Sequence, residues 1–263
     1  MRHLPNLLTL ANLFCGCLAI VCVLNAQPFL TYNNATGNPS TEWNWVYGVH
    51  DMATGALFIF LAAIFDLLDG FVARGLKIFS SIGKDLDSLA DVVSFGVAPA
   101  MILYKMLWDV ILSEPISSDI DKLSMAPAFL IACFAALRLA RFNVSPAKKG
   151  AFTGMPTPAV GVLIASIGLV YWFQPAGWVD YLQSRWALYA LIAVLCYLMV
   201  SKIRFVKLMP ARWNIRYSWP QAVIVLGTLA AIPFLKFSAL PFGFVLYILL
   251  SLVAPKSEDE AIA

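Results

Sequence analysis

The chain has 263 residues, of which 61% are hydrophobic and 13% charged, with a mean hydropathy of +0.80 and a formal net charge of +3. Soluble globular proteins carry roughly 25% charged residues, so this balance excludes a water-soluble domain and indicates a polytopic membrane protein. The modest positive charge is spread over short loops between apolar stretches, which fits anionic lipid headgroups as partners and gives no signal for nucleic acid.

Apolar stretches close to the roughly 20 residues that a spanning helix needs lie at 7–25, 52–72, 88–108, 126–143, 159–174, 186–201, 220–235 and 238–254. The expected fold is therefore all-α, a single membrane domain over residues 1–263 built as a bundle of about eight transmembrane helices. The lead-in from Arg2 to Asn12 is amphipathic, with Pro5 at a helix start and a polar cluster at Asn6, Thr9 and Asn12. That cluster, and Gln27-Pro28 in place of a small-residue cleavage site, argue against a signal peptide. The lead-in is expected to shape the rim of a site or simply to begin the first helix.

The loop from about Asn25 to Gly48 contains no Lys or Arg and is rich in Asn, Thr and Trp, as an external loop should be. Asn34-Ala-Thr36 matches a glycosylation sequon there, a pattern too short to carry weight. With the N terminus inside, 14 of the 18 basic residues fall on one face, leaving only Lys105, Lys122, Arg185 and Lys236 on the other. The positive-inside rule then puts both termini on the cytoplasmic side, and the expected setting is a cell (inner) membrane, with a polar cavity in the bundle opening at the cytoplasmic surface. The five cysteines, Cys15, Cys17, Cys22, Cys133 and Cys196, sit in apolar stretches without a CxxC pair and read as small buried hydrophobes. The basic loop Lys202, Arg204, Lys207, Arg212 and Arg216 reads as a headgroup-facing surface.

The chemistry-bearing segment is DLLDGFVARGLKIFSSIGKDLDSLAD, residues 66–91. Helical spacing places Asp66, Asp69, Gly70, Ala73 and Arg74 on one stripe at the end of the second span, and Asp87 and Asp91 form an i, i+4 pair opening the third. The connection between the spans is short and contains Gly75 and Gly83, so the two helices should run antiparallel with the stripes facing. Four carboxylates then converge at the membrane edge, and each costs several kcal/mol to desolvate without a compensating cation. Interhelical salt bridges or helix caps are the plain alternative, and Asp85, off the repeating face, reads as a solvated residue of that kind. Oxygen ligands at this density suit hard divalent cations, Mg²⁺ or Mn²⁺, and a pair of them would suit displacement at phosphorus. Gly70 and Ala73 remove bulk from the acidic face, and Arg74 carries a planar fork matched to a phosphate.

Asp66, Asp69, Gly70, Ala73, Arg74, Gly83, Asp87 and Asp91 reproduce the signature Asp-x-x-Asp-Gly-x-x-Ala-Arg, eight residues, Gly-x-x-x-Asp-x-x-x-Asp, and the chain thereby resembles the CDP-alcohol phosphotransferase family. LPNLLTLANLFCGCLAI, GKDLDSLADVVSFGVAPA, RLARFNV and FTGMPTPA extend the likeness and are similar to the branch of that family whose acceptor is serine. The resemblance implies transfer of a phosphatidyl group from CDP-diacylglycerol to L-serine with release of CMP. It implies that Asp66, Asp69, Asp87 and Asp91 hold two metal ions, that Asp66, Asp69, Gly70, Ala73, Arg74 and Gly83 bind the nucleotide, and that Asp91 is the base. It also implies a homodimer.

A serine pocket needs a cation for the carboxylate. Arg138, Arg141 and Asn143 at the end of the fourth span, with Ser94, are the expected set, although both arginines also suit positive-inside anchoring. The stretch Phe152-Thr-Gly-Met-Pro-Thr-Pro158 either completes that pocket or starts the fifth helix. Glycerol 3-phosphate or an inositol phosphate would call for further cations, and the acyl groove does not distinguish ester from ether lipids. A cation transporter is the rival from another class, but it requires acidic residues near the midplane of several spans or paired broken helices, and neither pattern occurs here.

Overall fold

A computed structural model describes residues 4–26, 29–32, 43–46, 49–76, 81–112, 122–144, 154–173, 177–203, 205 and 215–253. Helix α1 (Leu4–Asn25) is followed by a two-stranded antiparallel ribbon, β1 (Phe29–Tyr32) with β2 (Trp43–Val46), in which Phe29 pairs with Val46 and Tyr32 with Trp43. Then come α2 (Val49–Leu76), α3 (Ser81–Asp91), a π-helical segment (Val92–Val97) and α4 (Ala98–Leu112). A 3₁₀ lead-in (Lys122–Phe129) runs into α5 (Leu130–Val144), followed by α6 (Thr157–Phe173), α7 (Arg185–Val200), α8 (Ile215–Leu235) and α9 (Ala239–Val253). The helical class expected from hydropathy is found, and the ribbon is an addition within the basic-free loop.

Each expected apolar stretch overlaps helical residues, with helix ends up to several residues beyond the expected bounds and 88–108 spread over α3, the π segment and α4. By length and composition five helical stretches among the described residues can cross a membrane: Leu4–Asn25, Asp51–Leu76, Ile82–Leu112, Leu123–Val144 and Trp219–Leu252. The difference from eight has a physical origin. Helices α6 and α7 are short, at 17 and 16 residues, or about 25 Å at 1.5 Å per residue. The last two stretches run together as one apolar stretch of 34 residues. That stretch folds back on itself. Lys236 takes a positive φ of 48° at the turn, a Cβ on Gly227 would lie 3.1 Å from Leu246, and one on Gly243 would meet Thr228.

Burial ranks the layers. In the most apolar 18-residue window of Ile82–Leu112, 61% of the residues are buried, against 17% for Trp219–Leu252, so the π segment and α4 run through the centre while α8 and α9 line the outside. Helix α6 is buried along nearly its whole length. Small residues let the backbones approach, as expected where lipid removes any hydrophobic drive between helices. A Cβ on Gly55 of α2 would lie 2.8 Å from Val23 of α1, and one on Gly161 of α6 would lie 3.0 Å from Phe95. At the end of the bundle opposite the aspartates, the buried Lys105 donates to the carbonyl of Ala26 at 3.3 Å and lies over the Trp108 ring, closing the C-terminus of α1.

The π segment is seated from three sides: by Gly16 of α1 against Ser94, by Gly161 of α6 against Phe95, and by its own Gly96 against Ala132 and Ala135 of α5. Because the Cβ of an alanine at position 16 would sit 2.8 Å from Ser94 Cα, Gly16→Ala is expected to cost about 1–3 kcal/mol of stability. A lower Tm in detergent checks this. Gly75→Ala, which meets nothing within 4 Å, serves as the neutral control.

Candidate active site

Helix α2 carries Asp66 and Asp69 one turn apart near its end, and α3 returns beside it with Asp87 and Asp91. One carboxylate oxygen from each of Asp66, Asp69 and Asp87 lies within 4.8 Å of the others. Asp69 and Asp91 are only 8% and 6% exposed. Asp91 stands one helical turn further along α3, outside that triangle but within electrostatic reach of all three partners. The expected convergence of four carboxylates is thus realised as a triad with a fourth, more buried acid behind it. The backbone changes to a π-helix directly after Asp91, and such segments occur frequently at functional sites.

Helix α1 supplies hydrogen-bond donors to this cluster. Thr9 Oγ1 donates to Asp69 Oδ2 at 2.7 Å, and the Pro5 carbonyl lies 3.1 Å from the same hydroxyl. With one proton to give, the hydroxyl favours the shorter, charge-assisted bond. Asn12, fully buried, donates through Nδ2 to Asp91 Oδ1 at 3.3 Å. Because an ionised carboxylate only accepts, this contact fixes the orientation of the amide. Asn12 Oδ1 and Asp87 Oδ1 are both buried without a hydrogen-bond partner, and a buried orphan of this kind costs about 1–3 kcal/mol or more.

These features fit a divalent cation. The donors are all hard oxygens, three of them already clustered, and the orphaned Asp87 oxygen has room in its valence for a metal. Thr9 orients one ligand from behind. Thr9→Val, which preserves shape and removes the donor, is expected to weaken Mn²⁺ binding by about tenfold or more, read by calorimetry on the purified protein.

The other expected site residues divide. Gly70 and Ala73 lie on the acidic stripe, half-buried, and a Cβ on Gly70 would lie 3.8 Å from the Arg74 guanidinium. Arg74 is exposed and crosses the Phe71 ring at 5.2 Å. Gly83 is half-buried in the first turns of α3. Ser94 is fully buried, and its hydroxyl is used in donating to the Asn12 carbonyl at 3.0 Å.

Arg138 comes closest to the expected role. Its Nη1 donates to Thr157 Oγ1 at 3.1 Å, its Nε is buried without a partner, and it interacts electrostatically with Asp91. Arg141 is exposed at the end of α5. The Asn143 amide donates to Ser88 Oγ at 2.8 Å, while its carbonyl accepts from Lys84 at 3.3 Å. Asn143 therefore braces α5 against α3.

Gly154, at φ +81°, is a position where only glycine fits, because any Cβ would run into the Met199 carbonyl. Its N–H donates to Ile203 and that of Met155 to Leu198, so this stretch anchors the start of α6 and presents Thr157 to Arg138. Arg2, Lys77, Asn34 to Thr36, Lys148, Lys149, Phe152, Thr153, Arg204, Lys207 and Arg212 lie outside the described residues.

Thr9 and Asn12 lie in the lead-in expected to shape a site's rim, and Thr157 in the stretch expected to complete the pocket or start a helix, but none of the three was given a role of its own. The signal for the first two was present, since polar side chains in a spanning helix face the bundle interior. Thr9 and Asn12 share the buried face of α1 with Gly16 and Ala19.

The carboxylate cluster, with the half-buried Arg138 near it, lies within the region matched by the family model for CDP-alcohol phosphatidyltransferases, residues 2–198. The chain belongs to that family, and is a membrane-integral transferase of phospholipid synthesis. It is 30% identical over 209 residues to the CDP-diacylglycerol–serine O-phosphatidyltransferase of Bacillus subtilis, covering 78% of this chain and 90% of that one. It is 29% identical to the enzyme of that name from Helicobacter pylori (81% and 75% covered) and 35% identical to the archaetidylserine synthase of Methanothermobacter thermautotrophicus (57% and 56% covered).

Proposed function

We propose that the protein transfers a phosphatidyl group from CDP-diacylglycerol to the hydroxyl of L-serine, forming phosphatidylserine and CMP. The observation that carries the reading is the half-buried Arg138, whose Nε is buried without a partner and whose charge is felt by Asp91, beside the Asp66–Asp69–Asp87 triad. It offers a cation for an acceptor's carboxylate next to a base for its hydroxyl. The family match supports a CDP-linked donor, and the names of the relatives support CDP-diacylglycerol and serine.

On this reading Asp66, Asp69, Asp87 and Asp91 hold two divalent cations, Mg²⁺ or Mn²⁺. Such ions, when bound, offset the pyrophosphate charge and stabilise the departing phosphate. Gly70 and Ala73 leave the acidic face open to the nucleotide, Arg74 pairs with a phosphate oxygen, and Gly83 lets the chain pass closely. Asp91 accepts the proton of the serine hydroxyl. The serine oxygen then forms a bond to the phosphorus that bears diacylglycerol, the bond from that phosphorus to the bridging oxygen breaks, and CMP departs with the electron pair. Thr9 and Asn12 hold their carboxylates in place throughout.

The site opens to the cytoplasmic face of the cell membrane, where the basic loops and both termini lie. All eight apolar stretches span, and two copies of the chain assemble. The test is incorporation of isotope-labelled serine into organic-extractable lipid by purified protein given CDP-diacylglycerol and Mg²⁺ or Mn²⁺. Phosphatidylserine identified by mass spectrometry is the expected product. Labelled serine left wholly in the aqueous phase while another acceptor enters lipid would replace serine as acceptor.

A further inference from the structure

Two buried hydrogen-bond donors lie on the α5 and α9 side of the site without partners. One is Arg138 Nε, and the other is the Tyr247 hydroxyl. Tyr247 is 1% exposed and lies on α9, which packs against α6, the helix whose Thr157 holds Arg138 Nη1. Its ring is set against Phe205 at 5.6 Å, tilted by 31°. The phenol and the guanidinium interact electrostatically with one another, and the guanidinium with Asp91. No hydrogen bond joins Arg138 to Tyr247, so neither relieves the other.

Fully buried polar groups are rarely left unsatisfied in a native fold, and an exception calls for an account. A ligand that answers both groups must accept two hydrogen bonds and carry negative charge to match the guanidinium. A carboxylate does so with its two oxygens, whereas an alcohol or amine does not. We propose that Tyr247 is a specificity-determining residue of the acceptor site, its hydroxyl and Arg138 Nε–H together holding the acceptor's carboxylate while Asp91 faces the acceptor's hydroxyl. This rests on the serine reading above and extends it to a helix beyond residue 198, where the family match ends. The outer helical hairpin then has a role besides its contact with lipid, since α9 carries a group of the acceptor pocket.

The test compares wild type with Tyr247→Phe, which removes one oxygen and keeps the ring. The KM for serine is expected to rise by about tenfold or more, the usual effect of losing a hydrogen bond to a charged group. The KM for CDP-diacylglycerol should stay within about threefold. The preference for serine over serinol, in which the carboxylate is replaced by an alcohol, should fall by a similar factor. In combination with Arg138→Lys, the losses should be less than multiplicative, as for two groups serving one ligand. An unchanged serine KM and serine-to-serinol ratio in Tyr247→Phe overturns the proposal, as does a rise confined to the CDP-lipid KM, which would assign the pair to the donor's phosphates.

Should the variant fail to fold, 3-fluorotyrosine at position 247 in the otherwise native protein decides. Its ¹⁹F resonance should move on addition of serine and stay fixed on addition of serinol, and no response to serine overturns the proposal. A wild type that releases no CMP with serine sinks the underlying acceptor reading. A wild type active with serine beside an unaffected Tyr247→Phe sinks only the role of Tyr247.

Discussion

Asp91→Asn is expected to lower the rate of CMP release about 10²- to 10⁴-fold, the range for loss of a positioned general base. The change is nearly isosteric. Asn12 Nδ2, which donates to Asp91 Oδ1 at 3.3 Å, can still donate to the amide oxygen, so the packing of α1 against α3 survives. Affinity for CDP-diacylglycerol should therefore stay within about threefold of wild type. Single-turnover CMP release alongside equilibrium binding of the CDP-lipid separates the two effects. Turnover at the wild-type rate would remove Asp91 from the proton-accepting role and leave it as a structural acid held by α1.

The second large effect concerns the triad. Asp87→Asn is expected to abolish detectable Mn²⁺ binding and to reduce CMP release at least about 10³-fold. Chelation of the wild type should do the same, with activity restored by added Mg²⁺ or Mn²⁺. The stability of the metal-free protein should move the opposite way. Asp66, Asp69 and Asp87 place oxygens within 4.8 Å of one another, and Asp87 Oδ1 is buried without a partner. Neutralising one member relieves like-charge repulsion, so Tm in the presence of a chelator should rise in Asp87→Asn. A salt-bridge or capping role would make the same substitution lower Tm and leave metal binding and turnover largely intact, so the paired measurements separate a built functional site from a structural one.

The triad was legible in the sequence because its information is local. Three- and four-residue spacings put each pair of carboxylates on one helix face, and the short loop between the pairs allowed few arrangements other than face to face. The apolar helices were legible because every backbone polar group in a lipid-buried segment must be paired internally, which makes apolar length a direct readout of helix. What the chain did not reveal depends on which helices become neighbours. The spacing of Thr9 and Asn12 marks a buried polar face, but only the packing of α1 against α2 and α3 shows that Asp69 and Asp91 receive their hydrogen bonds.

Asn143 carries the right chemistry for an acceptor pocket, yet Ser88 on the neighbouring helix takes its amide. The equally suitable Arg138 keeps a donor free because Thr157 engages only one of its nitrogens. The π segment after Asp91 is set by three small-residue contacts from three different helices, a tertiary cause that local propensity does not encode. The division into 220–235 and 238–254 was legible in the sequence, whereas the positive-φ turn at Lys236 and the packing of α8 back on α9 are tertiary features that hydropathy does not give.

The measurement that bears most directly on the central claim is CMP release by the detergent-purified protein given CDP-diacylglycerol and a divalent cation, with serine, glycerol 3-phosphate and an inositol phosphate supplied in separate reactions. Release that requires the cation and occurs with serine alone, with phosphatidylserine formed in equal amount, is the predicted result. Release with a phosphorylated acceptor and none with serine, from protein shown to be folded, would contradict it.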